Sequence, residues 1–428
     1  MKAWGLPLLL LPAAVSAQQA STAAAVGRAV TLPEAFAAAL KNSEELAQRG
    51  EGVAGLQARV DELWSAVKPK VGLAGSETIQ DVPPPASGAG SLFSQRNREQ
   101  AQLTLHQPLF AGLREYLAAR AAKIQTEASE LELERARQLL YEDVARSYYS
   151  LAGVRKEISV REALVEIMDG RIRDLRSREK LGRSRKSEVL ASEAQHAGVL
   201  AQLETSRGGH RVAQLQLRFL TGLGEDLAPG DVTVPDAAPA LAPYLDQGAR
   251  RPDVESARRA LAALAFGTTI AGRQRWPALA LDGNYYLHRP PGFQDKTRWD
   301  VLLSAQIPLY SGGAVDAQVR QAEAARRTQE LAAALALRRA QLEVRSAFSD
   351  LGSALGIVKA LENAAALAEA NAAAQAADYR LGLVTNLDVL GSLNSLQEIR
   401  LQLEKSRIQA AFSVVRLEVA AGVPGGLR

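Results

Sequence analysis

Apolar and polar positions follow two different periods along the chain. Four stretches of about 9–11 residues alternate between apolar and polar side chains, with Leu302 as an exception in the last of them. This is the length and pattern of a tilted strand crossing a bilayer. They form two predicted hairpins, over residues 71–109 and 278–309. After each hairpin the period becomes 3.6 residues, which predicts long helices. The predicted helices cover residues 33–66, 111–180, 186–221, 252–274, 315–381 and 386–421.

The same scheme occurs twice, which indicates a tandem duplication. Residues 107–112 (QPLFAG) correspond to residues 307–312 (IPLYSG) at an offset of 200. Upstream the offset is 208, because Pro69 corresponds to Pro277, so the length difference falls at the tip of the first hairpin. This predicts a first repeat over 18–221, a Pro-rich connector over 222–250, a second repeat over 251–421 and a tail over 422–428.

The fold class predicted from these elements is mainly α with a small β part. A helix of about 70 residues rises about 105 Å and must pack along neighbouring helices as a bundle or coiled coil. The predicted helices over residues 33–66 and 186–221 have 34 and 36 residues, which together match the length of one long helix. We therefore expect two short helices to stack end to end beside each long helix, because otherwise half of its apolar stripe would stay uncovered.

Composition limits the possible function classes. There are no cysteines, which excludes disulfides, thiolate metal sites and lipid attachment at an N-terminal cysteine. The formal net charge of +4 is spread along the helices, which argues against nucleic acid as a partner. Residues 1–17 have the charge, apolar run and small residues of a secretory signal peptide, and no later stretch offers 18 uncharged apolar residues. The four histidines lack metal or triad spacing, so we expect no enzyme activity and no cofactor.

The predicted strands need a closed sheet if they lie in lipid. Three tryptophans, Trp64, Trp276 and Trp299, flank the strands, where amphipathic rings favour the membrane interfaces. Four strands cannot close a barrel, and open edges are not tolerated in hydrocarbon. Symmetry must supply the rest, as a dimer with eight strands or a trimer with 12; polar inner faces favour the wider, water-filled trimer.

Several short motifs, taken in order, resemble the TolC-like outer-membrane efflux channels over nearly the whole mature chain. They are residues 32–42 (LPEAFAAALKN), the two Pro-Leu-Phe/Tyr-x-Gly junctions, residues 251–253 (RPD) and residues 379–390 (YRLGLVTNLDVL). The resemblance implies a homotrimer with a β-barrel in the outer membrane of a Gram-negative bacterium and an α-helical tunnel in the periplasm. It also implies an exit duct that serves an inner-membrane pump through a periplasmic adaptor.

The resemblance also implies functional positions at the helix–Gly–helix turns, which would form the periplasmic tip. The residues expected to dock the adaptor are Leu181, Gly182, Leu381, Gly382, Leu383 and Val384. The residues expected to constrict the aperture are Glu188, Tyr379 and Asp388. Without the resemblance, the two glycines are helix C-caps and the two carboxylates are first-turn residues favoured by the helix dipole.

This chain departs from the family pattern at two positions of the tip. Val384 stands where some members carry an arginine that ties the closed tip together, and Gly391 stands where some carry a second carboxylate. The closed state is therefore expected to be weaker or differently built.

Two other functions remain open at the level of sequence. One is an exit duct for type I protein secretion, since the duct is generic and the pump selects the cargo. The other, from a different class, is a secreted coiled-coil scaffold without a pore. It accounts for the helices and the signal peptide but not for four amphipathic strands with flanking tryptophans.

Overall fold

The computed structural model describes residues 28–81, 96–224, 226–290 and 296–425. The predicted signal peptide and most of the tip of the first hairpin lie outside the described residues, as do the last three residues of the tail. The described part is mainly helical with a small sheet, as the periodicity predicts.

Eight helices are present in the described part of the chain, and two of them are far longer than the rest. The long helices are α3 (Arg114–Lys180) and α7 (Ala314–Leu381). Each turns back at a glycine into a helix of half its length, α4 (Lys186–Thr221) and α8 (Asn386–Ala421). The others are α1 (Leu32–Asn42), α2 (Glu44–Ser65), α5 (Leu241–Gly248) and α6 (Pro252–Gly272), the last followed by a 3-10 turn at Arg273–Arg275.

The two hairpins join into one antiparallel sheet. Its strands are β2 (Lys70–Ile79), β3 (Asn97–Ala111), β5 (Ala278–His288) and β6 (Trp299–Gln306), hydrogen-bonded in the order β2-β3-β5-β6. A separate parallel pair joins β1 (Arg28–Val30) to β4 (Leu227–Pro229). The central contact of the larger sheet, β3 with β5, joins the two repeats, while β2 and β6 form its edges.

The duplication extends to individual hydrogen-bonded pairs. Helices α4 and α8 begin and end at positions 200 residues apart, and the starts of α2 and β2 lie 208 residues before those of α6 and β5. Within the hairpins, Lys70 pairs with His106, and Ala278 pairs with Gln306 at the same two offsets. The two halves are therefore structural copies in register.

Short helices meet end to end beside the long ones. At the end of α4, Asn42 Nδ2 donates to the Thr221 carbonyl at 2.6 Å, which places the α1–α2 junction there. At the end of α8, Arg251 Nη1 donates to the Ala420 carbonyl at 3.0 Å, which places the start of α6 there. Arg251 is 3% exposed and also binds Asp253 through Nε at 2.7 Å, so the buried guanidinium is paired.

Two details of the helical prediction are wrong. The single helix expected over 33–66 is divided at Ser43, which has an extended backbone (φ −80°, ψ 105°) and accepts from Leu46 N through its hydroxyl. This N-cap begins α2 because a serine oxygen can satisfy a free amide there. The Pro-rich connector over 222–250, for which no helix or strand is predicted, contains β4 and α5.

The buried core is concentrated where the short helices meet. One cluster joins Val30, Ala39, Leu151 and Leu217, and so combines β1, α1, α3 and α4. Its counterpart in the second repeat joins Tyr244, Leu351 and Leu417 from α5, α7 and α8. Each cluster lies where the neighbour of a long helix changes from one short helix to the next along its length.

Helix α7 is long and apolar enough, by length and composition, to cross a membrane. Its most apolar 18-residue window has a mean hydropathy of 1.2, and 17% of that window is buried in the single chain. Ion pairs line its contact with α8, including Glu362 with Arg407 at 2.8 Å and Glu369 with Arg400 at 3.1 Å. These charges assign α7 to the helical bundle, because such pairs at the centre of a bilayer are costly.

Candidate functional site

Two equivalent turns close the end of the helical part that lies farthest from the sheet. Gly182 and Gly382 end α3 and α7 with φ of 69° and 79°, a left-handed conformation that favours glycine. In the first turn, Arg183 N donates to the Arg178 carbonyl at 2.8 Å. In the second turn, Leu383 N donates to the Asp378 carbonyl at 3.0 Å. Both turns are therefore capped as the sequence predicts.

The apolar side chains of these turns differ in exposure. Leu181, Leu381 and Leu383 are 68%, 73% and 71% exposed, so they project into solvent in the single chain. Val384 is half-buried and packs against a cluster formed by Leu175, Val189, Tyr379 and Val389. Of the residues expected to dock a partner, the three leucines present free surface and Val384 supports the turn from inside.

Tyr379 and Glu188 are brought together across the two turns. The Tyr379 hydroxyl donates to Glu188 Oε2 at 3.1 Å, and Ser184 Oγ donates to the same oxygen at 2.6 Å. Burial raises the pKa of Tyr379, and the nearby Glu188 charge acts in the same direction, so the phenol remains a donor. The carboxylate thus accepts from both repeats of the chain.

Arg171 and Asn386 extend this contact into a network. The Arg171 guanidinium lies over the Tyr379 ring at 3.9 Å from its centroid, within the range of a cation–π interaction. Its Nε and Nη2 donate to Asn386 Oδ1 at 3.2 and 3.0 Å. Asn386, 2% exposed, donates in turn to Ser192 Oγ at 3.0 Å. We call Arg171, Glu188, Tyr379 and Asn386, with the serines Ser184 and Ser192, the tip cluster.

Asp388 has a separate role from the tip cluster. It lies in the first turn of α8, where Thr385 N donates to its Oδ2 at 2.8 Å and Thr385 Oγ1 at 2.6 Å. Together with the bond from Asp388 N to Thr385 Oγ1, this is a capping box. The hydrogen bonds from Thr385 lower the pKa of Asp388, which keeps an exposed negative charge at the turn.

Sequence patterns missed four of the six residues of the tip cluster. Arg171, Ser184, Ser192 and Asn386 come from three helices and a turn, and each has ordinary polar neighbours in the sequence. The signal that could have found Asn386 is its place at the first position of a helix, where the equivalent residue of the first repeat is Lys186. Within the described residues, no group of three or more His, Asp or Glu side chains is suited to holding a metal ion.

The sheet has one polar and one apolar face. On the polar face, His106 Nδ1 lies 2.6 Å from Asp282 Oδ1, at directly opposed positions of β3 and β5. Tyr286 and Asn284 donate to the two oxygens of Asp300 at 2.6 and 2.9 Å. The opposite face carries apolar side chains that are exposed in the single chain. They are Val71, Leu73, Leu103, Leu105, Leu287, Val301 and Leu303.

The three tryptophans lie around the base and rim of the sheet. Trp64, at the end of α2, makes an edge-to-face contact with Tyr116 at 5.3 Å between centroids. Trp276, just before β5, lies 6.2 Å from Phe110. Trp299 begins β6 opposite Tyr285 and is 65% exposed. Their positions follow the sequence expectation, and their contact with a membrane interface stays a prediction.

Comparisons with known proteins agree with this architecture. A family model described as outer membrane efflux protein matches residues 36–223 and 247–423. The outer membrane efflux protein BepC of Brucella suis is 25% identical over 392 residues, covering 90% of this chain and 83% of BepC. The outer membrane protein TolC of Escherichia coli is 24% identical over 387 residues, covering 85% and 76%.

Solved structures share the fold across almost the full length. The outer membrane protein VceC of Vibrio cholerae superposes with a TM-score of 0.79 at 21% identity, covering 92% of this chain and 96% of VceC. CusC, described as forming a transmembrane channel, gives 0.81 at 18% identity, covering 99% of each chain. The family model covers most of the chain, in two segments that fall in the two repeats. This chain therefore belongs to the outer membrane efflux protein family and is an efflux channel component of the outer membrane.

Proposed function

We propose that three copies of this chain form a continuous tube that is the exit duct of a tripartite efflux system. It receives small molecules from an inner-membrane pump through a periplasmic adaptor and releases them outside the cell. The observation that carries the proposal is the four-stranded sheet, with one polar and one apolar face and with bare edges at β2 and β6. Such a sheet is stable in lipid when copies of the chain close it into a barrel with a polar interior.

The helical part supplies the length that the duct needs. Helices α3 and α7 contain 67 and 68 residues, which corresponds to about 100 Å. Helix α3 begins two residues after β3 and α7 begins seven residues after β6, and in this proposal the axis of the barrel and that of the helical shaft coincide. Twelve strands and twelve helical columns would result from three copies, since each chain supplies four of each.

The tip cluster is proposed to hold the closed aperture. The hydrogen bond from Tyr379 to Glu188 and the bonds from Arg171 to Asn386 tie the α7–α8 turn to the α3–α4 hairpin of the same chain. An opening movement of one hairpin relative to the other would break them. Asp388, exposed beside the cluster, would contribute one carboxylate from each chain to a ring around the axis.

The exposed leucines of the tip are the proposed contact for the adaptor. Leu181, Leu381 and Leu383 would be repeated around the end of a threefold tube, giving six apolar turns. Exposed apolar groups at a rim commonly mark protein–protein contacts. The glycines beneath them leave open space, since a Cβ added at Gly182 or Gly382 would meet nothing within 4 Å.

Deletion of the gene in the source organism, with plasmid-borne complementation, tests the proposal. We expect the deletion strain to become sensitive to small toxic compounds and to retain more of a fluorescent pump substrate, with unchanged secretion of proteins. The purified protein should form a trimer by native mass measurement and conducting pores in a planar bilayer. A monomer without pore activity, or a strain that loses a secreted protein and keeps its resistance, would overturn it.

A further inference from the structure

The two repeats are structural copies, yet equivalent positions differ sharply in exposure. On α8, Leu390, Val415 and Val419 are 3%, 4% and 1% exposed, because they pack against α3. Their counterparts on α4, 200 residues earlier, are Leu190, Leu215 and Phe219, which are 53%, 58% and 87% exposed. These positions are apolar on both helices, but in the single chain they are buried on α8 and exposed on α4.

The missing cover follows from the order of the helical columns. Helix α3 packs against α2 and α4 on one side and against α6 and α8 on the other. Its copy, α7, packs against α6 and α8, and its other side carries exposed residues such as Leu331, Leu335 and Leu342. Within the chain, α3 contacts the column formed by α6 and α8. By the duplication, α7 should contact a column formed by α2 and α4 in the same way, but the single chain does not provide one at that position.

We propose that a second copy of this chain fills this position in the register of the intrachain contact, so that Arg327 pairs with Glu51 of the partner subunit. The inference rests on the proposed assembly and specifies which residues meet in it. Within the chain, Arg259 Nη1 on α6 binds Glu127 Oε2 on α3 at 2.7 Å. Glu127 on α3 corresponds to Arg327 on α7 at the offset of 200, and Arg259 on α6 corresponds to Glu51 on α2 at the offset of 208. An ion pair is therefore possible at the equivalent contact, with the acidic and basic residues exchanged between the two helices.

Apolar contacts follow the same correspondence. Arg135 Nη1 donates to the Val419 carbonyl at 2.7 Å within the chain, and the equivalent positions are Leu335 and Phe219. Leu335, 40% exposed, would therefore lie beside Phe219 of the partner subunit. At the equivalent positions the arginine is replaced by a leucine and Val419 by the larger Phe219, which is consistent with a contact that forms between molecules, because apolar burial drives association.

The sheet edges give an independent correspondence. Thr104 of β3 is opposed to Asn284 of β5, and at the two offsets these positions become Ser304 of β6 and Ser76 of β2. Pairing β6 with β2 of the partner subunit in this register joins strands that are both sheet edges in the single chain. In this register the polar faces of neighbouring subunits lie on the same side of the sheet. A shift of the pairing by one residue would place the polar side chains of one strand on the apolar face.

Cysteine cross-linking in the intact membrane tests the proposed register, and the natural absence of cysteine makes it specific. The test variant carries Glu51→Cys and Arg327→Cys and is treated with a short bis-maleimide. The matched control carries Glu62→Cys and Arg327→Cys, since Glu62 lies on the same face of α2 about 16 Å farther along the helix. A positive control with Glu127→Cys and Arg259→Cys should cross-link within one chain.

We expect covalent dimers and trimers from the test variant on a denaturing gel, at least tenfold more than from the control or from either single variant. Native mass measurement on the same membranes reports assembly independently of cross-linking. If the control variant cross-links better than the test variant in assembled trimers, the register is wrong and the proposed duct is unaffected. If no trimers form in any variant or in the unmodified protein, the proposed function itself fails.

Discussion

The hydroxyl of Tyr379 donates to Glu188 Oε2 at 3.1 Å, and this bond joins the last turn of α7 to the start of α4. The two residues are 191 positions apart and belong to different repeats. In the proposed closed state, this bond holds the two helical hairpins of one chain together at the tip.

Tyr379→Phe is expected to favour the open aperture. The change removes the donor but keeps the ring on which Arg171 stacks. A hydrogen bond to a charged, half-buried group contributes about 1–2 kcal/mol, or about 5–30-fold in the ratio of closed to open channels. Single-channel recording in planar bilayers measures this as a higher open fraction.

Tyr148→Phe is the matched control for that experiment. The Tyr148 hydroxyl donates to the Val30 carbonyl at 3.0 Å, at the level where α1 meets α3 and far from the tip. The Tyr148→Phe variant loses a tyrosine hydrogen bond and leaves the tip cluster unchanged, so the open fraction of its channels should stay at the wild-type value. Equal effects of the two variants would contradict a role of Tyr379 in closure.

Asn386→Ala is expected to loosen the start of α8. The substitution leaves the Arg171 guanidinium and the Ser192 hydroxyl without a shared partner in a buried position. Such loss costs about 1–3 kcal/mol. Hydrogen–deuterium exchange should become faster for the amides of residues 186–192 and 386–392, whereas Asn371→Ala, at an exposed position of α7, should leave exchange unchanged.

Asp388→Ala is expected to raise single-channel conductance and to weaken block by divalent cations. In a threefold tube, three exposed carboxylates near the axis attract cations that obstruct the pore. The measurement is the blocking concentration of a divalent cation added on the tip side. If conductance and block both stay at wild-type values, the Asp388 side chain does not face the pore.

The capping box at Asp388 also predicts a dependence on pH. Its pKa is lowered by the hydrogen bonds from Thr385, so the ionised form stabilises the folded turn. The stabilisation is present above the ordinary pKa of 3.8 and is lost as the pH falls through the lowered value. Exchange at the first turn of α8, corrected for intrinsic rates, should therefore increase below about pH 4. Asp388→Ala should already show that fast exchange at neutral pH; protection equal to wild type would count against the cap.

Phe219→Ala is expected to weaken the assembly and not the single chain. Phe219 is 87% exposed in the single chain, so its removal costs little there. If Phe219 is buried between subunits, the loss is about 1–4 kcal/mol at each interface. Trimer dissociation in detergent at rising temperature measures it, with Leu383→Ala at the exposed tip as control. Identical dissociation temperatures would place Phe219 outside the interface.

The fold could be predicted well from the sequence because its signals are local and repeated. Proline at 69 and 277 and glycine at 182 and 382 mark the ends of helices, and each mark is supported by its copy. The break at Ser43 was missed because the apolar period continues through it, and the deciding contact, from Asn42 to Thr221, joins residues far apart in sequence. The three-residue strands β1 and β4 are too short to show any period.

The tip cluster could be predicted in part. Tyr379 and Glu188 were found through a family resemblance, since nothing in their local sequence separates them from other residues of a charged helix. Arg171 lies among aspartates and arginines that suggest a solvated face, and its partner is 215 residues away. The tip cluster joins side chains from several helices, so it can be identified only after the packing of those helices is known.

The bare edges of β2 and β6 have a consequence for biogenesis. A solitary chain would bring unsatisfied amides and carbonyls into hydrocarbon, so insertion must wait until copies have met. The yield of mature pores should then rise more steeply than linearly with the rate of synthesis, and chains made in excess should accumulate in the periplasm as targets for proteases.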